Sequence, residues 1–145
     1  MPRNKIIEIV PRLSWGPAEK VTPEMGFDAI INAAIELTPN TNGKLYQCGL
    51  HGEGRVNDPR NKPDDIIKAV GWTLVEFLGG RNVCVTCALG ETRSAVVTAS
   101  VLVLTGHYKT LQDAFDVMGT HNLIKPYPLL VDNFAATLRI MKAGG

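Results

Sequence analysis

The chain has 145 residues, 45% of them hydrophobic and 20% charged, with a formal net charge of +1 at pH 7. This composition predicts one soluble globular domain, residues 1–145, and argues against general binding to nucleic acid. The longest apolar segment, residues 95–104, is too short to span a bilayer, so no membrane association is expected. Three cysteines without disulfide-framework spacing, and no visible signal peptide, predict a cytoplasmic protein.

The first half of the chain is predicted to contain short strands. Pro11 separates the first two, and Thr22 followed by Pro23 is typical of the start of a short helix. Branched apolar residues between loop signals indicate further strands. The predicted strands cover residues 6–10, 12–15, 29–33 and 45–50, and residues 51–62 form a polar loop suited to function.

The second half is predicted to be mostly helical. Pro63 suits the first turn of a helix, with Asn61 as a candidate cap, and Thr110 with Asp113 resembles a capping box. Residues 94–105 are rich in β-branched side chains, which favour a strand by propensity, so their own pattern is ambiguous. The predicted helices cover residues 63–78, 110–118 and 129–141, and a central strand covers residues 83–86.

One short motif suggests the chemistry. Cys87 follows the apolar strand, and Gly90, Arg93 and Ser94 come before a long apolar segment. Backbone amides in such a turn can form an anion-binding nest, arginine pairs bidentately with phosphate oxygens, and a nest of this kind favours a thiolate. The alternative is an inert buried cysteine, which we accept for Cys84. The predicted phosphate-binding residues are Ala88, Leu89, Gly90, Glu91, Thr92 and Arg93.

The motif resembles the dual-specificity branch of the cysteine-dependent protein tyrosine phosphatases. Their signature is His-Cys-x-x-Gly-x-x-Arg-Ser/Thr, and residues 86–94 read Thr-Cys-Ala-Leu-Gly-Glu-Thr-Arg-Ser. Residues 9–16, 27–32 and 123–127 are similar, in the same order, to other segments of that family. The resemblance implies a single-domain α/β fold with a central, mostly parallel sheet of about five strands flanked by helices. It also implies that residues 94–105 form a buried helix.

The resemblance further assigns catalytic roles. Cys87 would be the nucleophile, Arg93 would bind the phosphate and stabilise the transition state, and Ser94 would stabilise the leaving thiolate. An N-cap role for Ser94 is an alternative that can coexist. Phosphomonoester cleavage also needs a general acid, and Asp58 lies at the interval at which the family places one. The alternative for Asp58 is a solvated turn residue, since Asp-Pro often opens turns.

Other candidates for these roles are weaker. Asp64 and Asp65 are explained by their place at a helix start, and Glu53 is an outside candidate for the acid. The three histidines lack the spacing of metal ligands, and neither metal nor cofactor is expected. Cys84 and Cys87 spell Cys-x-x-Cys, a poor match to a redox pair, while Cys48 is a candidate for a disulfide with Cys87 under oxidation.

Two residues depart from the family pattern. Thr86 replaces the family's histidine, and Glu91 places a carboxylate in an anion-binding loop, unless it points outward toward a cationic flank. We therefore expect weaker activity, or activity shifted to higher pH. The leading hypothesis is a metal-independent phosphatase for phosphotyrosine, and by extension phosphoserine and phosphothreonine, in a phosphorylated protein partner. The alternatives are a catalytically weak phosphate-binding module and a phosphatase for a non-protein phosphate. The sequence gives no sign of an oligomeric state.

Overall fold

A computed structural model of the chain describes residues 3–34, 36–50, 63–126 and 128–144. The predicted α/β architecture is confirmed: one five-stranded sheet packs against four α-helices. The strands are β1 (Ile7–Val10), β2 (Leu13–Pro17), β3 (Ala29–Asn32), β4 (Lys44–Gln47) and β5 (Val83–Cys87). The helices are α1 (Pro63–Leu78), α2 (Arg93–Leu104), α3 (Leu111–Met118) and α4 (Pro128–Gly144).

The sheet has the strand order β1-β2-β5-β3-β4 and is mostly parallel. β5 lies between β2 and β3 and is parallel to both, β4 is parallel to β3, and β1 is antiparallel to β2. Every residue of β2, β3 and β5 is buried, as expected for parallel strands covered on both faces. The carboxyl ends of the four parallel strands therefore meet at one edge, and Cys87 lies at the centre of that edge.

The two faces of the sheet are covered unequally. Side chains alternate along β5, so Val83, Val85 and Cys87 face the large core cluster, to which all four helices contribute. Cys84 faces the other way and packs with Val21 and Ile30 in a small cluster that contains no residue of the four helices. Single 3₁₀ turns at residues 18–20 and 23–25 lie in the segment that contributes Val21. The four α-helices of the described ranges therefore lie on one side of the sheet.

The ambiguous segment 94–105 is a helix. Every residue of α2 from Arg93 to Val103 is buried, because α2 packs against the sheet and against the other three helices. A helix surrounded on all sides needs apolar residues on every face, so it shows no amphipathic pattern. Tertiary packing therefore overrides the strand propensity of the β-branched residues. No helix in the described ranges combines the length and apolarity needed to cross a bilayer.

One of the predicted helix-capping residues forms its hydrogen bond and another does not. Thr110 Oγ1 accepts a hydrogen bond of 3.1 Å from the Asp113 amide, so the predicted cap of α3 is confirmed. The side chain of Thr22 makes no such bond to the turn that follows it. α1 has its predicted bounds, whereas its candidate cap Asn61 and the polar loop 51–62 lie outside the described residues.

The turn between β5 and α2 packs closely on the end of β2. Gly90 has φ +69°, and a Cβ atom there would lie 2.7 Å from the carbonyl carbon of Gly16. Gly16 is equally confined, since its own Cβ would lie 2.5 Å from the Lys5 carbonyl oxygen. At position 90, only glycine tolerates both the positive φ and the close backbone approach.

Replacing Gly90 by alanine should lower the free energy of unfolding by about 2–4 kcal/mol, because it adds left-handed backbone strain and a steric clash. Urea denaturation followed by circular dichroism measures the change. Gly71→Ala is the matched control, since Gly71 lies within α1 and a Cβ there meets nothing within 4 Å. That control should leave stability equal or raise it by about 0.5–1 kcal/mol. Equal losses in the two variants would contradict the close packing of the turn.

Candidate active site

The predicted nucleophile lies where the central strand meets the buried helix. Cys87 is the last residue of β5, and its Sγ lies 3.1 Å from Ser94 Oγ in the first turn of α2. Both residues are buried, so the thiol and the hydroxyl face each other away from bulk water. A hydroxyl at this distance can donate a hydrogen bond to a thiolate, which is the contact proposed for Ser94.

Residues 88–92 connect these two elements. In the described part of the chain, the five backbone amides of this loop donate to no protein acceptor. The loop leads directly into the N-terminus of α2, where the helix dipole places partial positive charge. Unpaired amides beside a helix N-terminus are the arrangement that binds anions in other proteins. The loop therefore has the donors that the sequence predicted for a phosphate.

The Arg93 side chain is paired with a carboxylate that the sequence reasoning missed. Arg93 Nη1 donates a hydrogen bond to Glu36 Oε1 and Nη2 donates one to Glu36 Oε2, both at 2.8 Å, and Nη1 also donates to the Leu50 carbonyl oxygen at 3.0 Å. These contacts engage three of the five guanidinium N–H groups. The Arg93 side chain is 4% exposed and that of Glu36 is 26% exposed, so the pair is partly shielded from water. Glu36 follows β3, and an acidic residue just beyond the strand that neighbours β5 is the signal that could have identified it.

Thr86, which stands where the resembling family has histidine, holds the segment that carries Glu36. Its Oγ1 donates to Asn32 Oδ1 at 3.0 Å, and both residues are fully buried. Asn32 Nδ2 in turn donates to the carbonyl oxygens of Ala34 and Leu37, on either side of Glu36. Through Asn32, Thr86 thus connects the central strand to the segment that carries Glu36, the carboxylate partner of Arg93.

The carboxylate of Glu91 is paired within the chain. Glu91 is 6% exposed, and its Oε1 lies 3.4 Å from Lys125 Nζ. The two backbones also meet, because the Lys125 amide donates to the Glu91 carbonyl oxygen at 2.7 Å, and Thr92 Oγ1 donates to the Lys125 carbonyl oxygen at 2.9 Å. The alternative in which Glu91 points outward to select a cationic flank is therefore wrong, because the carboxylate is buried and its cation, Lys125, belongs to the same chain. Glu91 instead fastens the loop to the segment that precedes α4.

The loop is also held from the side of β1 and β2. The Gly90 carbonyl oxygen accepts hydrogen bonds from Trp15 Nε1 at 3.1 Å and from Asn4 Nδ2 at 3.2 Å, and both donors are buried. Accepting these bonds turns the carbonyl of the loop toward the protein interior. The loop is thereby fixed in position by residues far from it in sequence.

Helix α2 begins at Arg93, so Ser94 is not its N-cap. Thr92 occupies the cap position, although its side chain makes no capping bond. The alternative cap role for Ser94 is therefore wrong, and its hydroxyl is directed at Cys87 instead.

The two other cysteines are poorly placed to react with Cys87. Cys84 faces the opposite side of the sheet. Cys48 follows β4, and its backbone amide donates a hydrogen bond to the carbonyl oxygen of Asn32 in β3. Strand β3 therefore lies between Cys48 and β5. Two strand spacings amount to ~10 Å. A disulfide needs Cα atoms within about 7 Å, so neither the Cys-x-x-Cys pair nor the Cys48 disulfide fits this arrangement.

The position of the proposed acid is not described. Asp58, together with Glu53 and His51, lies within residues 51–62, outside the described residues. Asp64 and Asp65 lie in the first turn of α1, where carboxylates complement the helix dipole. Across the described ranges, no three histidine, cysteine or acidic side chains cluster in a way that could hold a metal ion.

Burial predicts that two of the three thiols resist alkylation. Burial raises the pKa of the Cys48 thiol to about 12 and also raises the pKa of Cys84, so both remain protonated at pH 8. With iodoacetamide at pH 8, peptide mapping should find Cys48 and Cys84 unmodified in the native protein and modified in urea. Rapid labelling of either thiol in the native protein would contradict the observed packing of β4 and β5.

Comparison with known proteins supports the fold at low sequence identity. No protein-family model matches the sequence, and a search of curated proteins gives no match. Among solved structures, human DUSP28 matches with a TM-score of 0.77 and 15% identity, covering 94% of this chain and 95% of its own. The human tyrosine phosphatase-like serine/threonine/tyrosine-interacting protein gives a TM-score of 0.72 at 20% identity, with 97% of each chain covered.

A mouse putative dual specificity phosphatase, complexed with zinc tungstate, is also similar, with a TM-score of 0.74 and 16% identity over 96% of this chain and 89% of that one. Each match spans nearly the whole of both chains, so the similarity concerns the complete domain and not the loop alone. The chain therefore has the fold of the dual-specificity phosphatases.

Proposed function

We propose that the protein is a metal-independent phosphomonoester hydrolase that acts on phosphotyrosine, and by extension on phosphoserine and phosphothreonine, in proteins. The single observation that carries this proposal is the position of Cys87. Its sulfur lies 3.1 Å from Ser94 Oγ, at the start of a loop whose amides have no protein acceptor in the described chain. The fold shared with the dual-specificity phosphatases supports it.

In the first step, the Cys87 thiolate attacks phosphorus. A sulfur–phosphorus bond forms while the ester oxygen–phosphorus bond breaks, and Asp58 protonates the leaving oxygen. The loop amides of residues 88–92 and the N-terminus of α2 stabilise the phosphoryl oxygens as the geometry at phosphorus changes. The assignment of Asp58 rests on its place in the sequence and on the resemblance.

Arg93 would contact the same phosphoryl oxygens. Glu36 holds the guanidinium by two hydrogen bonds and Leu50 by a third, so its plane is fixed before a substrate enters. A pre-oriented guanidinium loses little conformational entropy on binding phosphate. We therefore regard Glu36 as a positioning residue for Arg93.

In the second step, water attacks phosphorus and the sulfur–phosphorus bond breaks. Asp58, now a carboxylate, accepts a proton from that water, and inorganic phosphate leaves. The departing thiolate accepts a hydrogen bond from Ser94, which stabilises its charge. Cys87 is then ready for another cycle.

The alternative of a catalytically weak phosphate-binding module is favoured by one observation. The Arg93 guanidinium already has a bidentate carboxylate partner, so a phosphate must share or displace it. A binding module would capture phosphopeptides without releasing phosphate. Turnover of a simple aryl phosphate separates these two functions.

The catalytic proposal predicts hydrolysis of p-nitrophenyl phosphate in the presence of EDTA. Cys87→Ser should reduce the rate to background, and Asp58→Ala should reduce kcat by about 10²–10³-fold. Asp64→Ala is the matched control, because Asp64 is an exposed carboxylate in the first turn of α1 and should leave kcat unchanged. Equal rates for the wild type and Cys87→Ser would refute the proposal. Phosphopeptide binding without any turnover would favour the binding module.

Replacing Glu36 by glutamine should make the protein more dependent on phosphate for its stability. The variant loses the anion that neutralises a buried guanidinium, so its melting temperature without phosphate should fall. Phosphate supplies a new counter-charge, so it should raise the melting temperature of Glu36→Gln more than that of the wild type. Thermal unfolding at increasing phosphate concentration measures both effects.

The control for this experiment is Glu76→Gln. Glu76 forms an ion pair with Arg81 near the end of α1, away from the loop, so its loss should not change the response to phosphate. If phosphate raised the melting temperatures of Glu36→Gln and the wild type by the same amount, phosphate would not be in contact with Arg93.

A further inference from the structure

A groove of about 360 Å³ lies where helices α1, α2 and α4 end. Its lining is mostly apolar and consists of Leu74, Leu78, Leu104, Thr105, Met141 and Lys142. Arg93 and Leu104 are the first and last residues of α2, and a helix of that length separates their Cα atoms by ~17 Å. The groove therefore lies at the opposite end of α2 from Cys87 and takes no part in the proposed catalytic cycle.

Helix α1 presents an outward apolar stripe beside this groove. Besides the residues that pack into the core, α1 has small or apolar residues at the spacing i, i+4, i+7, i+8 and i+11, which places them on one face of the helix: Ile67, Gly71, Leu74, Val75 and Leu78. Val75 is 65% exposed and Leu78 is 70% exposed. The outer face of a surface helix is ordinarily polar, so this stripe has the character of an interaction surface.

Gly71 lies in the middle of the stripe. Glycine inside a helix is destabilising relative to alanine. A Cβ atom at position 71 would meet nothing within 4 Å, so no contact within the described chain requires glycine there. A missing side chain does, however, let the backbone of another molecule approach α1 closely. Gly71 therefore favours an occupant that packs directly across α1.

The three segments that line the groove carry an excess of positive charge. Residues 66–82, 101–110 and 133–142 contain one carboxylate, Glu76, which is buried and paired with Arg81. Their lysines and arginines are exposed, namely Lys68, Arg81, Lys109, Arg139 and Lys142. Three helix C-termini with about half a negative charge each offset only part of this charge. A second copy of the chain would bring two such surfaces together, so the charge disfavours self-association and favours an acidic partner.

We infer that the groove and the α1 stripe bind an amphipathic helix of another protein, whose apolar face is flanked by acidic residues. Apolar side chains spaced i, i+3, i+4 and i+7 along the partner helix would fill the groove and cover Val75 and Leu78. Its carboxylates would accept charge-assisted hydrogen bonds from Arg139 and Lys142. A partner bound there leaves the loop at Cys87 accessible to a substrate.

Selection from a phage-displayed library of random 16-residue peptides tests the inference. The selection uses phosphate buffer, so that phosphate competes with acidic peptides for the loop. Enriched peptides should combine apolar residues at helical spacing with glutamate or aspartate. Fluorescence anisotropy then gives Kd for each enriched peptide with the wild type and with variants of the protein.

The variant Val75→Asp/Leu78→Asp should raise Kd by roughly 10-fold or more, because it places carboxylates on the apolar stripe. Arg139→Gln/Lys142→Gln should raise Kd by about 3- to 10-fold at low ionic strength and by less at high ionic strength. The matched control is Ala136→Asp/Ile140→Asp. Both residues are exposed on α4, and Ile140 lies about 200° around the helix axis from Lys142. The control should keep the wild-type Kd, and thermal unfolding verifies that each variant folds.

The inference is overturned if the library yields no peptide, if the enriched peptides lack acidic residues, or if Val75→Asp/Leu78→Asp leaves Kd unchanged. A dimer in sedimentation velocity that this variant dissociates would overturn it in favour of a second copy of the chain. Binding to phosphatidylserine vesicles that the variant abolishes, without any peptide binding, would overturn it in favour of a lipid surface. None of these measurements requires phosphatase activity, so failure of the proposed function leaves them unaffected.

Discussion

The buried guanidinium of Arg93 is the constraint on which the rest of the site depends. A full positive charge with a 4% exposed side chain is costly unless an anion or several acceptors surround it. Glu36 and the Leu50 carbonyl oxygen supply that environment from the ends of two neighbouring parallel strands. The loop, the helix and the segments after β3 and β4 must therefore come together for the charge to be tolerated. A phosphate that binds at this position must either displace the Glu36 carboxylate or share the Arg93 guanidinium with it.

The two residues that depart from the family pattern belong to this supporting structure. Thr86 replaces a titratable ring by a hydroxyl that bonds to Asn32, and Asn32 holds the backbone on either side of Glu36. Glu91 is paired with Lys125 and does not present an uncompensated charge to an anion. The repulsion expected from its carboxylate is thus reduced by a neighbouring cation. The expected weaker or pH-shifted activity stays a prediction.

Much of the architecture could be predicted because its signals are local. Thr110 and Asp113 form the cap that their spacing indicates, and α1 has its predicted bounds. The position of Cys87 followed from a strand, a turn and a helix that are adjacent in sequence. For α2 the local pattern was ambiguous, and the resemblance indicated a helix. Its burial on every side had removed the amphipathic period that would have revealed it.

The partners of the site could not be predicted in the same way, because they are distant in sequence. Glu36 lies 57 residues before Arg93, and Asn4 lies 86 residues before Gly90. Such pairs depend on the order of the strands in the sheet, which the pattern of single elements does not specify. Asn122 likewise exchanges two hydrogen bonds with the backbone of Lys5, 117 residues before it.

The unequal covering of the sheet has a consequence for local stability. The face opposite the helices has a small buried cluster of Val21, Ile30 and Cys84, whereas the helical face holds most of the core. Segments with few buried apolar contacts open at a lower free energy than the rest of a domain. Amides of residues 18–27 should therefore exchange with deuterium before those of α2. Cys87 and the loop are held largely from the helical side, so this thinner layer can open and vary in sequence while the site keeps its shape.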